Sequence, residues 1–267
     1  MKTKVGFIGA GNMGAAIMKG IAGGNLAEKI SIYATDVDSA KLQSLESIGV
    51  TPLEDAKSIF LECEYVFLAI KPQMFEEVLG NFGSYVTEKN IIVSIAAGIT
   101  GDYIKSKTIS QAKVVLVMPN TPFLLGEGAT ALAKVDPTTD NEFSFVRNIF
   151  EAGGRTAVVE ENKMKEIIAI NGSSPAFIYL FSKGFIDYAR SVGISEETAK
   201  SLFCQSLIGS AKMITDSGYS VDELIKMVSS PGGTTLKGLD ELYSGNLIDI
   251  VENCCKACTK RAYELSK

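Results

Sequence analysis

Three glycines, spaced Gly9-Ala10-Gly11-Asn12-Met13-Gly14, follow the apolar run Val5 to Ile8 and precede Ala15, Ala16, Ile17 and Ile21. The chemistry this spacing suits is anion binding. Gly9 allows a tight turn, Gly11 lets the backbone approach a pyrophosphate, and Gly14 brings helix close to strand, while free N–H groups and the helix dipole face the phosphates. A glycine fingerprint by itself also fits a structural turn. Here a strand precedes it, a helix follows it, and an acid stands at the expected distance, so Ile8, Gly9, Ala10, Gly11, Asn12 and Met13 are read as a coenzyme-phosphate site. The acid is Asp36, about 20 residues beyond the last glycine. Its carboxylate can accept hydrogen bonds from an adenosine ribose and would repel a 2′-phosphate. Val37 follows with no arginine beside it, which leans toward NADH over NADPH, although Lys41 is near enough in sequence to accommodate the phosphate. The competing role for Asp36 or Asp38 is to cap the helix that starts near Ser39.

Three further stretches end apolar runs: Ala69-Ile70-Lys71-Pro72-Gln73, Ser94-Ile95-Ala96-Ala97-Gly98-Ile99 and Met118-Pro119-Asn120-Thr121-Pro122. Carboxyl ends of strands are where open α/β sheets place ligands, so Ala69, Ile70, Lys71, Pro72, Ala96, Ala97, Gly98 and Asn120 are expected against the coenzyme. Lys71 has a second reading as a general acid, which needs a lowered pKa, and its charge serves a coenzyme or an ion pair equally well. Near the other end, Ser229-Ser230-Pro231-Gly232-Gly233-Thr234-Thr235 precedes an apolar helical pattern from Leu236 to Leu242. A Pro-Gly-Gly loop opening a helix presents unpaired N–H groups at the positive end of the dipole, suited to a substrate carboxylate. A plain N-cap with a glycine turn is compatible with that role.

What is missing narrows the chemistry. The 267 residues include no histidine, so Ser-His-Asp and Cys-His triads and imidazole relays cannot exist here. Five cysteines without a secretory signal fit a reducing compartment. Cys254, Cys255 and Cys258 share one helical stretch, and only distant Cys63 and Cys204 could complete a tetrahedral site, so structural thiols are expected and no metal. The charges, 26 Lys+Arg against 31 Asp+Glu, carry no cationic run of the kind that grips phosphate backbones, and no nucleic-acid partner is expected. No apolar run approaches the roughly twenty residues that span a bilayer, and the apolar stretch at the amino end is too short for a signal peptide. A cytoplasmic protein is expected.

The elements that must position these groups change character along the chain. Short β-rich runs at Lys4 to Ile8, Ile30 to Ala34, Tyr65 to Ile70, Ile91 to Ile95 and Lys113 to Met118 alternate with helical patterns, among them one from Pro52 to Leu61. Shorter β-rich pieces follow near Ala129 to Lys134 and Thr156 to Val159. This alternation predicts an α/β fold, a Rossmann-type doubly wound parallel sheet over residues 1–160. From 161 to 267 the apolar spacing is helical, in stretches such as Asn162 to Val192 and Asn246 to Lys267, which predicts an all-α domain. Asn171-Gly172-Ser173-Ser174-Pro175 should kink or interrupt its first long helix. Several long helices carry more apolar surface than one small domain buries, so the helical part is expected to form a homodimer, and the Pro-Gly-Gly loop is its expected substrate-binding element.

Together these stretches resemble the pyrroline-5-carboxylate reductase family: Phe7-Ile8-Gly9-Ala10-Gly11-Asn12-Met13-Gly14, the three strand-end motifs, Gly126-Glu127-Gly128-Ala129-Thr130 and Ser230-Pro231-Gly232-Gly233-Thr234-Thr235, in that order over essentially the whole chain. The resemblance implies hydride transfer from NAD(P)H to C5 of a protonated 1-pyrroline-5-carboxylate, giving L-proline. It implies that amides matching Gly233 and Thr234, with Gly232, hold the substrate carboxylate, and that the hydroxyl matching Thr235 lies near the imine nitrogen as the catalytic candidate, assigned positioning first. It also implies interleaved helical dimers, in some members assembled into larger rings, and a substrate-side role for Ser173 within the stretch that matches the family's Ser-Gly-Ser-Gly-Pro-Ala. Four positions depart from the family pattern: Ala56 stands for an asparagine, Leu116 for an arginine, and Asn171 and Ser174 alter the serine-glycine stretch. Other readings remain: a related imine or β-hydroxyacid dehydrogenase, the latter's Gly-x-x-Gly-x-x-Lys-x-x-Asn helix being absent from Met164 to Ala176, and a non-catalytic nucleotide-binding homologue.

Overall fold

A computed structural model describes residues 2–266. The chain forms two compact units, one from the amino end to Pro175 together with the segment from Ala257 onward, the other Ala176–Lys256.

The first unit is built on an eight-stranded sheet. In chain order it carries β1 (Thr3–Ile8), α1 (Asn12–Gly23), β2 (Ile30–Thr35), α2 (Ser39–Glu46), β3 (Val50–Pro52), α3 (Ala56–Glu62), β4 (Tyr65–Leu68), α4 (Phe75–Phe82), β5 (Ile91–Ser94), α5 (Gly101–Lys107), β6 (Lys113–Met118), β7 (Gly128–Val135), α6 (Asp140–Glu151) and β8 (Gly154–Val158). The strand order is β3-β2-β1-β4-β5-β6-β7-β8, and every neighbouring pair runs parallel except β6 with β7. The exception has a cause in chain length. A parallel return needs a crossover of a dozen or more residues, and between Met118 and Gly128 there is only a proline-containing 3-10 turn at Thr121–Leu125.

Helices on both faces leave β4 and β5 buried along their whole length, which is why they read as unbroken apolar runs. The side-chain period of two sends Tyr65 and Phe67 to one face and Val66 and Leu68 to the other. On the first face Phe67 stacks on Phe7 with ring centroids 4.6 Å apart and approaches Phe150 at 6.1 Å, beneath Ile17, Met18 and Ile21 of α1. The second face holds Ile59 and Phe60 of α3, Phe75 and Leu79 of α4, and Ile104 of α5.

Two stretches differ from the sequence expectation. Val50–Pro52 is an edge strand, paired with Ile32 to Ala34 of β2, and α3 starts only at Ala56, where Asp55 Oδ1 accepts from the Ser58 amide at 2.8 Å. Two β-branched residues before a proline at the sheet edge favour the strand. Asn162 to Val192 is interrupted at Ser173, as the Asn171 to Pro175 stretch predicts, but the part before the break is not a long α-helix. It opens with a 3-10 turn at Glu161–Lys163 and a π-helical turn at Ile168–Gly172, and α7 (Ser174–Ser191) begins there with Pro175 in its first turn, where a missing N–H is harmless.

The second unit is helical. It contains most of α7, then α8 (Glu196–Asp216), α9 (Val221–Met227), α10 (Thr234–Ser244) and the first part of α11 (Leu247–Leu265). Phe185 stacks on Phe203 at 4.2 Å and meets Phe181 edge-on at 5.2 Å. Leu180, Tyr188, Leu202, Ile208 and Ile214 are nonetheless exposed, an amount of apolar surface beyond isolated surface residues. The end of α11 belongs to the sheet unit: Ala262 is buried, Tyr263 Oη donates to Glu166 Oε1 at 2.8 Å, and the Lys165 ammonium sits 4.5 Å over the Tyr263 ring. Among the described residues no helix is long and apolar enough to cross a membrane.

Candidate active site and its coenzyme cleft

The strand order reverses at β1, which is flanked by β2 and β4, and at such switch points α/β sheets open a crevice at their carboxyl edge. The glycine turn stands there. Gly9 has φ +104°, and a Cβ on it would lie 2.5 Å from the Ala69 carbonyl oxygen, so only glycine lets β1 turn this close to the end of β4. Gly11 is the N-cap of α1. It has no side-chain cap, the first turn has no acid, and nothing stands within 4 Å of where its Cβ would be. The helix thus presents uncapped N–H donors at its positive end toward open space, which fits a dinucleotide pyrophosphate.

Asp36 is joined to this turn. Its Oδ2 accepts from the Ala10 amide at 2.7 Å, and its Oδ1 accepts from the Asp38 amide at 2.9 Å and from Lys41 Nζ at 3.3 Å. Burial pushes the carboxyl up, but the Ala10 and Asp38 amides and the Lys41 ammonium together outweigh it and hold it below its ordinary range. The helix-capping role falls to Asp38, which accepts from the Ala40 amide. Ile8, Gly9, Asp36, Ala56 and Ile70 line one open cleft.

Lys71, exposed, precedes a 3-10 turn at Pro72–Met74 just past Ala69 and Ile70. Ala96 and Gly98 line a smaller pocket with Leu116, Met118, Glu161 and Lys165, and Ala97 between them is half-buried. Glu161 Oε1 accepts from the Gly101 amide at 2.9 Å, at the start of α5. A Cβ on Gly98, whose φ is +80°, would stand 3.3 Å from the Ala262 carbonyl oxygen, so the end of α11 rests on this loop.

Asn120 is buried, and its side chain is occupied within the protein: Oδ1 accepts from the Ala129 amide at 2.9 Å and Nδ2 donates to the Asn171 carbonyl at 3.1 Å. Asn171 answers from the π-helical turn, donating from Nδ2 to the Met118 carbonyl at 2.7 Å and to the Ala129 carbonyl at 3.1 Å. Ser173, half-buried, accepts from the Cys258 thiol at 3.2 Å. Sequence reasoning registered Asn171 as a departure and as part of a helix break, gave neither it nor Ala129 this bonding role, and missed Glu161 and the return of α11. A π-helical turn has no signature in 3.6-residue periodicity, so nothing in the pattern announced that Asn171 would face the sheet.

In the helical unit Gly232 has φ +73°, and the Gly233 amide donates to the Ser230 carbonyl at 2.9 Å. A Cβ on Gly233 would come within 2.6 Å of Ser230 Oγ and 2.9 Å of its carbonyl oxygen. Gly233 is the N-cap of α10 and supplies no side-chain bond, and Thr234 and Thr235 are exposed in the first turn. Those N–H groups and hydroxyls can receive a carboxylate.

Residues 161–265 match the family model described as pyrroline-5-carboxylate reductase dimerisation, and residues 4–98 match that described as NADP oxidoreductase coenzyme F420-dependent. The chain is 32% identical to the pyrroline-5-carboxylate reductase of Escherichia coli (strain K12), covering 100% of both chains. With that of Staphylococcus aureus (strain COL) it shares 33% identity, covering 98% of each. A solved pyrroline-5-carboxylate reductase from Coxiella burnetii superposes with a TM-score of 0.90 at 31% identity over 100% of both chains. The Plasmodium falciparum pyrroline carboxylate reductase, solved with NADP bound, gives 0.90 at 28% identity over 99% of this chain and 98% of that one. A Rossmann sheet with its glycine turn at the switch point, followed by a dimerisation domain and related over its whole length to these enzymes, places the chain in the pyrroline-5-carboxylate reductase family.

Proposed function

We infer that this chain reduces 1-pyrroline-5-carboxylate to L-proline with NAD(P)H, as a cytoplasmic homodimer in which residues 1–160 bind the dinucleotide and residues 161–267 bind substrate and pair the subunits. The observation that carries this reading is the full-length relationship to pyrroline-5-carboxylate reductases. The coenzyme supplies the hydride, and the protein has to hold and orient two molecules, because a protonated imine is already electrophilic. That division of labour suits a chain with no histidine.

The uncapped amides at Gly11 to Met13 receive the pyrophosphate, and Asp36 faces the adenosine ribose. Ala69 to Pro72 and Ala96 to Gly98 form the walls of the coenzyme site, with Asn120 bracing the turn beside them. Gly232, Gly233 and Thr234 grip the substrate carboxylate through main-chain N–H groups, Ser173 adds a hydroxyl on the substrate side, and Thr235 positions the imine nitrogen as the catalytic hydroxyl. The exposed apolar surface of the helical unit supports pairing, and a ring of dimers is a further assembly open to it.

The test is spectrophotometric. Adding 1-pyrroline-5-carboxylate should oxidise NADH or NADPH stoichiometrically with L-proline formed. Turnover of a hydroxyacid with oxidised coenzyme and none of the imine would overturn the reading.

A further inference from the structure

The coenzyme cleft has an uneven charge lining. Four of its residues carry carboxyl groups: Asp36, at the end of β2, Glu54 and Asp55, in the loop before α3, and Glu77, on α4. Among the described residues that line it there is no lysine or arginine. Asp36 and Asp55 are both held below the ordinary carboxylate range, Asp36 by the bonds described above and Asp55 by the amide and hydroxyl of Ser58, so both are ionised at neutral pH.

The nearby cations do not offset this lining. Lys41 bonds Asp36 at 3.3 Å and stands 4.0 Å from Asp38, so the three groups together remain net negative. Lys57 follows the acidic loop, but its ammonium lies 5.0 Å over the Tyr85 ring. Val37, almost fully exposed at the rim, contributes no charge.

Resting on the reading that a nicotinamide dinucleotide binds in this cleft, we propose that Glu54, Asp55 and Glu77 act with Asp36 as an acidic wall that selects NADH by repelling the 2′-phosphate of NADPH. A ribose 2′-hydroxyl meets hydrogen-bond acceptors there. A 2′-phosphate in the same place brings close to two negative charges toward four carboxylates, and the one ammonium beside Asp36, that of Lys41, is already shared between Asp36 and Asp38. Repulsion of this kind is spread over several groups, so it acts at a distance and is screened by salt, whereas a steric block is not.

The experiment measures dissociation constants for NAD+ and NADP+ by titration calorimetry on the intact protein, without turnover. At an ionic strength of about 0.01 M, where the Debye length is about 30 Å, NADP+ should bind about 30-fold or more weakly than NAD+. The ratio should shrink several-fold toward about 1 M, where the Debye length falls to about 3 Å. The double variant Glu54→Gln with Glu77→Gln, at two exposed positions, should tighten NADP+ about fivefold or more while moving NAD+ less than about twofold. Glu28→Gln with Glu46→Gln changes the net charge equally at exposed sites outside the cleft lining and should leave the ratio in place. Equal or tighter binding of NADP+, or a ratio indifferent to salt and to Glu54 and Glu77, overturns the acidic wall alone. Failure of both dinucleotides to bind overturns it together with the coenzyme reading beneath it.

Discussion

Asn120 and Asn171, 51 positions apart, clasp each other's surroundings: the Asn120 side chain donates to the main chain of Asn171, and the Asn171 side chain donates to the carbonyl of Met118 at the end of β6. Both side chains also bind Ala129, one through its amide and the other through its carbonyl. The clasp ties the end of β6, the start of β7 and the π-helical turn into one piece, next to the loops expected to hold the nicotinamide.

Removing it should be costly. Asn171→Ala leaves the buried Met118 carbonyl and the partly buried bond to Ala129 without this donor, and a buried group left unpaired costs about 1–3 kcal/mol. Urea denaturation should show a loss of about 2 kcal/mol or more, with weaker binding of the oxidised coenzyme. A variant as stable as the parent would mean that these bonds are replaced by others at no cost.

Asp36 should contribute to the acid limb of stability. Its folded-state pKa is depressed, so the stabilisation is fully present above the ordinary carboxylate value, near 4, and is lost as pH falls through the lower folded value. Asp36→Asn should therefore narrow the gap in melting temperature between pH 7 and pH 3 relative to the parent, with no ligand present. An unchanged gap counts against the bonds to Ala10 and Asp38 being held in solution.

Thr235→Ala should lower kcat/KM about tenfold or more, with the coenzyme Kd little altered. Thr235→Ser, which keeps a hydroxyl, should recover most of the loss. Equal losses in both variants would point to the threonine methyl group and away from the hydroxyl.

Cys63 offers a probe of the sheet face. Burial pushes its thiol up to about 12, and the side chain packs under β1, where a Cβ on Gly6 would lie 2.7 Å from its sulfur. At pH 8 a thiol reagent should modify Cys63 only in denaturant, as read by mass spectrometry of the labelled peptides. Rapid native-state labelling would show that this face opens readily.

Much of this molecule is legible in its residues alone. The glycine turn, Asp36 and the strand ends of the Rossmann unit are local features, each written in a few adjacent residues with a periodicity of two or a fixed offset. The Pro-Gly-Gly opening of α10 was legible for the same reason. The features that escaped are long-range. The antiparallel β7 depends on how short the link from Met118 is, β3 on an edge that β2 provides, and the Asn120–Asn171 clasp on a π-helical turn packing back onto the sheet. The capping question around Asp36 and Asp38 was open in the sequence, and geometry divides the work: Asp38 caps α2 while Asp36 anchors the turn.

The return of α11 to the sheet unit has a bearing on biogenesis. Ala257 to Ser266 emerge from the ribosome after the entire helical unit, yet Ala262 and its neighbours cover the loop at Gly98. Until that segment has been made, the loop at Gly98, after the interior strand β5, lacks the cover that the Ala262 main chain gives it.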